Sequence, residues 1–225
     1  MNQRSDLAII IPALNEAEAI ASVVIGVGKY GTVIVVDDGS TDDTGRIASD
    51  NGAIVVRHPI NQGYDQSLAD GLQFAIDRNF EFAITLDADG QHRANLIEPI
   101  LNAFFSGYDL VLGCRDKRQR FSEMVFAWYS TVVWKVFDPL CGIKGYRLSA
   151  LRAVCPLRTY DSVGTELAIL ASRSGWKIAQ FPIFTTRRVG ASRFGSGIKA
   201  NWKILKALGN GICKIRRVVI VALPA

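Results

Sequence analysis

Two clusters of carboxylates carry the first recognisable chemistry in the sequence. Asp37-Asp38-Gly39-Ser40 follows the apolar run Val33–Val36, and Asp87-Ala88-Asp89-Gly90-Gln91 follows Phe82–Leu86. Aspartate and glycine are common where strands turn, so either cluster alone reads equally well as an ordinary turn. Both together, each behind an apolar run, favour a different reading. In a parallel sheet all strands end on one edge, and that edge binds ligands. The clusters then share a rim although they lie 50 residues apart. Four carboxylates on one rim repel each other unless a cation offsets them. Asp87, Asp89 and the amide oxygen of Gln91 offer oxygen donors only. That suits Mg2+ or Mn2+, ions that also bind substrate phosphates, and does not suit zinc.

A sheet must position these residues, and the sequence predicts one. Leu7–Ile11, Val33–Val36, Ile54–Val56, Phe82–Leu86 and Leu110–Leu112 read as strands buried on both faces. Helical segments are expected near 15–27, 42–51, 65–78 and 94–106. Asn15 with Glu16 and Glu18, and Thr41 with Asp42 and Asp43, read as helix starts. The alternation predicts an α/β fold on a mostly parallel sheet flanked by helices. After Arg115 the pattern changes. Residues 116–120 form a charged loop, and the aromatic-rich Phe121–Phe137 reads as a helix that is apolar around most of its circumference. Phe181–Thr186 could be a further strand. Ile198–Lys214 is amphipathic, with Ile198, Trp202, Leu205, Leu208 and Ile212 in one stripe and Lys199, Lys203 and Lys206 beside it.

Composition narrows the class. The chain has 225 residues, 49% hydrophobic and 21% charged, which excludes disorder and collagen-like repeats. Cys114, Cys141, Cys155 and Cys213 contain no CxxC pair, so they read as reduced packing thiols of a cytoplasmic chain. No signal peptide is expected, and Val218–Leu223 is too short to span a bilayer. Net charge is +5, but Glu166 is the last acidic residue. Residues 167–225 hold eleven Lys and Arg, whereas residues 1–166 hold 15 basic and 21 acidic side chains. Such a basic tail points to an anionic partner or to a plain solvated surface. Nucleic acid is not expected, because no groove-reading motif is present. There is no G-x-G-x-x-G after the first strand and no Walker A pattern, which argues against dinucleotide and P-loop chemistry.

Beyond these patterns, the chain resembles the family 2 glycosyltransferases of the GT-A fold. The matching stretches are Ile11–Glu16, Val35–Thr44, Asn61-Gln62-Gly63 and Asp87–His92. Within that family it looks like the dolichol-phosphate mannose synthase and polyprenyl-phosphate glycosyltransferase branch. Gly113-Cys114-Arg115, Asp138–Arg147 and Arg188–Arg193 carry that closer likeness. The resemblance implies that Pro12, Ala13 and Glu16 line a nucleoside pocket and that Asp38 contacts the base. It implies that Asp87 and Asp89 hold a metal and the donor diphosphate, with Gln91 as a further ligand. Arg115 and Arg188 would face phosphates, and Ser192-Arg193 stands where the branch shows Ser-Lys. The chain departs from the pattern at Arg93-Ala94, where a proline is usual, and it lacks the Gln-x-x-Arg-Trp of processive synthases.

The implied reaction is inverting sugar transfer from a nucleoside-diphosphate sugar to a polyprenyl phosphate. Mg2+ or Mn2+ is the expected cofactor, and the expected location is peripheral, on the cytoplasmic membrane face. The alternative is a family 2 enzyme acting on a saccharide or protein hydroxyl. A hydroxyl needs a general base, for which Asp138 and Glu166 are the candidates, whereas an ionised phosphate does not. Residues 1–195 are expected to form the GT-A catalytic domain. Residues 196–225 are expected to form a basic amphipathic helix and tail that contacts the membrane interface. Phe121–Phe137 could alternatively be buried in a homo-oligomer.

Overall fold

Seven short segments pair into one sheet in the computed structural model, which describes residues 6–90, 94–116, 121–153 and 162–183, together with Gly209. In chain order they are β1 (Leu7–Ala13), β2 (Thr32–Asp37), β3 (Ile54–Arg57), β4 (Phe82–Thr85), β5 (Leu110–Arg115), β6 (Lys144–Arg147) and β7 (Ile178–Ile183). The spatial order is β3-β2-β1-β4-β6-β5-β7. All pairings are parallel except those of β6, which runs antiparallel between β4 and β5. The expected mostly parallel α/β fold is therefore present.

Seven helices flank the sheet among the described residues: α1 (Ile20–Gly28), α2 (Thr44–Asp50), α3 (Tyr64–Asp77), α4 (Ile97–Phe105), α5 (Phe121–Trp134), α6 (Leu148–Arg152) and α7 (Val163–Arg173). Side chains alternate across a strand, so β1 feeds two cores. Leu7, Ile9 and Ile11 face a layer holding Ile20 and Val24 of α1 and Ile97, Ile100 and Phe104 of α4. Ala8 and Ile10 face the opposite layer, with Leu68, Leu72 and Ala75 of α3 and Leu167 and Ala168 of α7. α3 lies close to the sheet because Gly71 meets Ile10, where a β-carbon would stand 2.4 Å from Ile10 Cγ2.

Several sequence expectations are corrected here. β3 is an edge strand, exposed at Ile54 and Arg57, and is not buried on both faces. The first helix begins at Ile20, not near residue 15. Asn15 sits at φ 52°, and its side chain accepts from Thr41 instead of capping a helix. A short 3-10 turn, Ala94–Leu96, precedes α4. The last strand starts at Ile178, three residues before the expected Phe181. α5 is apolar on two sides, burying Phe126, Ala127 and Trp134 while exposing Met124, Trp128, Val132 and Val133. Ile198–Lys214 lies outside the described residues apart from Gly209, and so does the boundary at 195/196.

The order β2-β1-β4 decides where a ligand can sit. From β1 the chain builds outward to β2 and β3, then returns to place β4 on the other side of β1. Strand order thus reverses between β1 and β4, and in open α/β sheets the crevice beyond such a reversal is the binding site. Asp37-Asp38 and Asp87 stand at the C-terminal ends of β2 and β4, on either side of that crevice.

Candidate active site

The first wall of the crevice is the turn after β1, fastened to the turn after β2. The Asn15 N–H donates to Ser40 Oγ at 3.0 Å, and the Glu16 N–H donates to Thr44 Oγ1 at 2.7 Å. The Ala17 N–H donates to Asp42 Oδ2 at 3.2 Å, and the Thr41 N–H returns to Asn15 Oδ1 at 2.9 Å. Short polar side chains thus satisfy backbone donors that no ladder reaches. Pro12, which has no N–H, pairs in register with Val36 beyond the point where β4 leaves β1, so no ladder bond is lost there. Pro12, Ala13 and Glu16 are therefore held at the rim, facing the start of the Asp37–Thr44 segment.

The two aspartates of that segment have separate partners. Asp37 is fully buried, and its Oδ1 accepts the Ser40 N–H at 2.9 Å. Arg57 Nε stands 3.6 Å from its Oδ2. Asp38 accepts the N–H groups of Gln62 and Gly63, both at 2.8 Å, and lies 2.8 Å from His58 Nδ1. Burial alone would raise the Asp38 pKa, but His58 and the two N–H groups outweigh it and hold the carboxyl below its usual range. Both Asp38 oxygens thus already fix a loop, whatever else they contact.

The second acidic cluster closes the crevice from the β4 side. Ala88 is buried in the α1/α4 core and pins the turn, Asp89 is buried, and Gly90 takes φ 71° to complete it. Asp87 Oδ1 accepts the Tyr64 hydroxyl at 3.1 Å. Its Oδ2 lies against Gly142, where a β-carbon would stand 2.2 Å away. Asp38 binds Gly63, and the next residue, Tyr64, binds Asp87. The clusters expected to share one rim do so.

Opposing charges line the far wall. Arg115, at the end of β5, forks onto Asp138, with Nε at 2.8 Å from Oδ2 and Nη2 at 3.0 Å from Oδ1. Asp138 Oδ2 also accepts the Arg115 N–H at 3.1 Å, and Glu123 lies 3.8 Å from the guanidinium. Burial opposes both charges, yet the pairing prevails, raising the Arg115 pKa and lowering that of Asp138. A carboxylate so stabilised is a weak base, which weighs against Asp138 as the general base. Lys144 on β6 is buried and donates from Nζ to the Cys141 carbonyl. Burial lowers its pKa, while Cys141, Asp138 and Asp87 act to raise it. The Cys141 thiol itself is pushed up to about 12 by burial, which keeps it inert. Glu166 is buried in the first turn of α7. Two residues back along that helix end, a β-carbon on Gly164 would stand 3.1 Å from Lys144 Nζ, so Gly164 borders this wall.

Sequence reasoning passed over Tyr64, His58, Gly142 and Lys144. Gly142 and Lys144 stand inside the Asp138–Arg147 match without being singled out, and Tyr64 directly follows Asn61-Gln62-Gly63. Gln91, Arg188, Ser192 and Arg193 lie outside the described residues. Among the described residues, no group of three or more His, Cys, Asp or Glu side chains is placed to hold a metal. Asp87 and Asp89 are hard oxygen donors of the kind Mg2+ and Mn2+ take alongside water and phosphate oxygens, so this pair fits such an ion.

The sequence model of "Glycosyl transferase family 2" matches residues 8–129, which hold every residue of the first wall, both acidic clusters and Arg115. The chain belongs to glycosyl transferase family 2. This family 2 glycosyltransferase is 30% identical to an uncharacterized protein of Methanocaldococcus jannaschii, over 90% of each chain. It is 27% identical to a UDP-N-acetylglucosamine–dolichyl-phosphate N-acetylglucosaminyltransferase of Methanococcus voltae, over 89% of this chain and 93% of that one. It is 28% identical to the undecaprenyl-phosphate mannosyltransferase of Micrococcus luteus, over 84% of this chain and 87% of that one. These names support the polyprenyl-phosphate branch of the family. Among solved structures, glucosyl-3-phosphoglycerate synthase from Mycobacterium tuberculosis, in complex with phosphoglyceric acid, superimposes with a TM-score of 0.74. It is 22% identical and covers 92% of this chain and 80% of that one, a likeness of fold. The same enzyme has been crystallised with Mn2+ and uridine diphosphate. No helix among the described residues is long and apolar enough to cross a membrane.

Proposed function

We infer that this family 2 glycosyltransferase moves a sugar, with inversion, from a nucleoside-diphosphate sugar to a polyprenyl phosphate at a membrane surface. The observation that carries the reading is the convergence of the two acidic clusters across the β1/β4 reversal, opposite a wall holding Arg115 and Lys144. Relatives named for dolichyl-phosphate and undecaprenyl-phosphate transfer support the acceptor class.

In this reading Pro12, Ala13 and Glu16 line the nucleoside, with Asp38 fixing the floor of that pocket near the base. Asp87 and Asp89, with Gln91, hold Mg2+ or Mn2+. The ion supplies Lewis-acid charge to the diphosphate as it leaves. Arg188 and Arg193, with Ser192, receive phosphate oxygens of donor and acceptor, for which a guanidinium fork is well shaped, while Arg115, whose fork Asp138 holds, adds positive charge to the wall they face. The acceptor phosphate arrives ionised, so the protein needs only to place it and exclude water. The exposed apolar side chains of α5, including Met124, Trp128 and Val132, together with the basic segment 196–225, provide the membrane contact.

The test is a donor screen by nucleotide release from purified protein with Mn2+, run with and without short polyprenyl phosphates. Release that depends on lipid phosphate is expected. Turnover on free saccharides or protein hydroxyls, with none on the lipid, overturns the reading. One observation keeps that second acceptor class in view: Glu166 is a buried carboxylate in the first turn of α7. Under it, Glu166→Gln abolishes transfer to a hydroxyl. Under the lipid-phosphate reading, the same variant keeps most of its activity.

A further inference from the structure

The two acidic clusters are joined through the first turn of α3. Asp38 holds the Gln62 and Gly63 N–H groups just before that helix. His58 lies between Asp38 and Asp70, with Nδ1 2.8 Å from Asp38 Oδ1 and Nε2 3.0 Å from Asp70 Oδ2. Asp70 is itself on α3, six residues beyond Tyr64. The start of the helix is therefore tied through its backbone to Asp38, and its body through Asp70 and His58 to the same carboxylate.

That anchoring places Tyr64. Its hydroxyl reaches Asp87 Oδ1, while Gly142 confines Oδ2 from the other side. The phenol hydroxyl is the donor in this contact, and Tyr64 itself stays 38% exposed at the rim. A free aspartate carboxylate turns broadly about its last torsion. Tyr64 and Gly142 together remove that freedom, so Asp87 presents its oxygens in one orientation before any ligand arrives.

We propose that Tyr64 is the positioning residue for Asp87, and that the Asp70–His58–Asp38 chain sets Tyr64 by fixing the start of α3. The inference rests on the reading of Asp87 as a divalent-ion ligand. It makes the nucleoside side and the ion side of the crevice one mechanical unit.

The test is Mn2+ binding to the full chain, followed by electron paramagnetic resonance of free Mn2+, with and without UDP or GDP and with no sugar donor or acceptor. Three proteins are compared: wild type, Tyr64→Phe and Asp87→Asn. Loss of a hydrogen bond that orients a ligand weakens binding by roughly 10-fold. Tyr64→Phe is expected to show that loss with an unchanged melting temperature, and Asp87→Asn is expected to lose binding altogether. A Tyr64 that serves only the fold would lower the melting temperature and leave Mn2+ affinity alone, which overturns the proposal. Wild-type affinity in Tyr64→Phe, beside lost binding in Asp87→Asn, overturns the positioning role and leaves the ion site standing. Undiminished binding in Asp87→Asn, or none in wild type, overturns both.

Discussion

The two walls of the crevice are held by different forces. In the first wall, four neutral or singly charged hydrogen bonds donated by backbone N–H groups join residues 15–17 to residues 40–44. Each is modest, about 1 kcal/mol net, and none depends on a buried cation. On the far side, a few buried charges do the holding: the Arg115–Asp138 fork and the Lys144 ammonium. Such charges are costly to desolvate and tolerable only while paired. The first wall is a set of small, separable terms, and the second stands or falls with a few large ones.

The largest expected effect lies in the second wall. Asp138→Ala leaves Arg115 largely buried with its main partner gone, which costs about 3 kcal/mol. A chain of this size should then melt roughly 6–12 °C lower, as differential scanning calorimetry would read directly. pH gives a second handle. The folded pKa of Asp138 is depressed, so its stabilisation is present above the unfolded carboxylate value near 3.9 and is lost as pH falls through the lower folded value. Acid melts from pH 6 to pH 2 should show wild type losing stability below about pH 4, with the part due to this pair missing in Asp138→Ala. A variant that melts like wild type would erase the contrast between the walls.

Next in size is a change that should spare the fold and damage the site. A β-carbon at Gly142 would stand 2.2 Å from Asp87 Oδ2, so Gly142→Ala must push that carboxylate aside. Displacing a reacting group by about 1 Å can cost 10²-fold in rate. The expected outcome is a turnover loss of roughly 100-fold with a melting temperature within a few degrees of wild type. A large fall in melting temperature would instead mean that the second wall is too rigid to let Asp87 move.

How much of this was visible in the sequence differs between the walls for the same reason. The first wall and both acidic clusters are built from apolar runs and contiguous motifs, so β1, β2, β4 and the clusters were legible. Asn15 misled because the asparagine signal for a helix start and for a side-chain staple is identical; only the distant Thr41 decides between them. The far wall depends on pairings that no local pattern announces. β6, Lys144-Gly145-Tyr146-Arg147, has a charged residue at each end and a glycine inside, and it becomes a strand only because β4 and β5 flank it. Arg115 and Asp138 were both singled out, one for phosphate and one as a base. Nothing in a separation of 23 residues indicated that they bind each other.

The smallest expected effect tests the first wall one hydrogen bond at a time. Thr44→Ala removes the acceptor for the Glu16 N–H, a bond of 2.7 Å, and leaves the other three staples in place. The cost should be about 1 kcal/mol, a melting shift of roughly 2–4 °C. Because the turn after β1 would loosen only near Glu16, nucleoside-diphosphate affinity should fall a few-fold, measured calorimetrically, while Mn2+ binding stays put. Adding Ser40→Ala then decides whether the staples are separable. Additive losses are expected if each bond acts alone, and a double variant that loses far more than the sum would show that the first wall, too, yields as one piece.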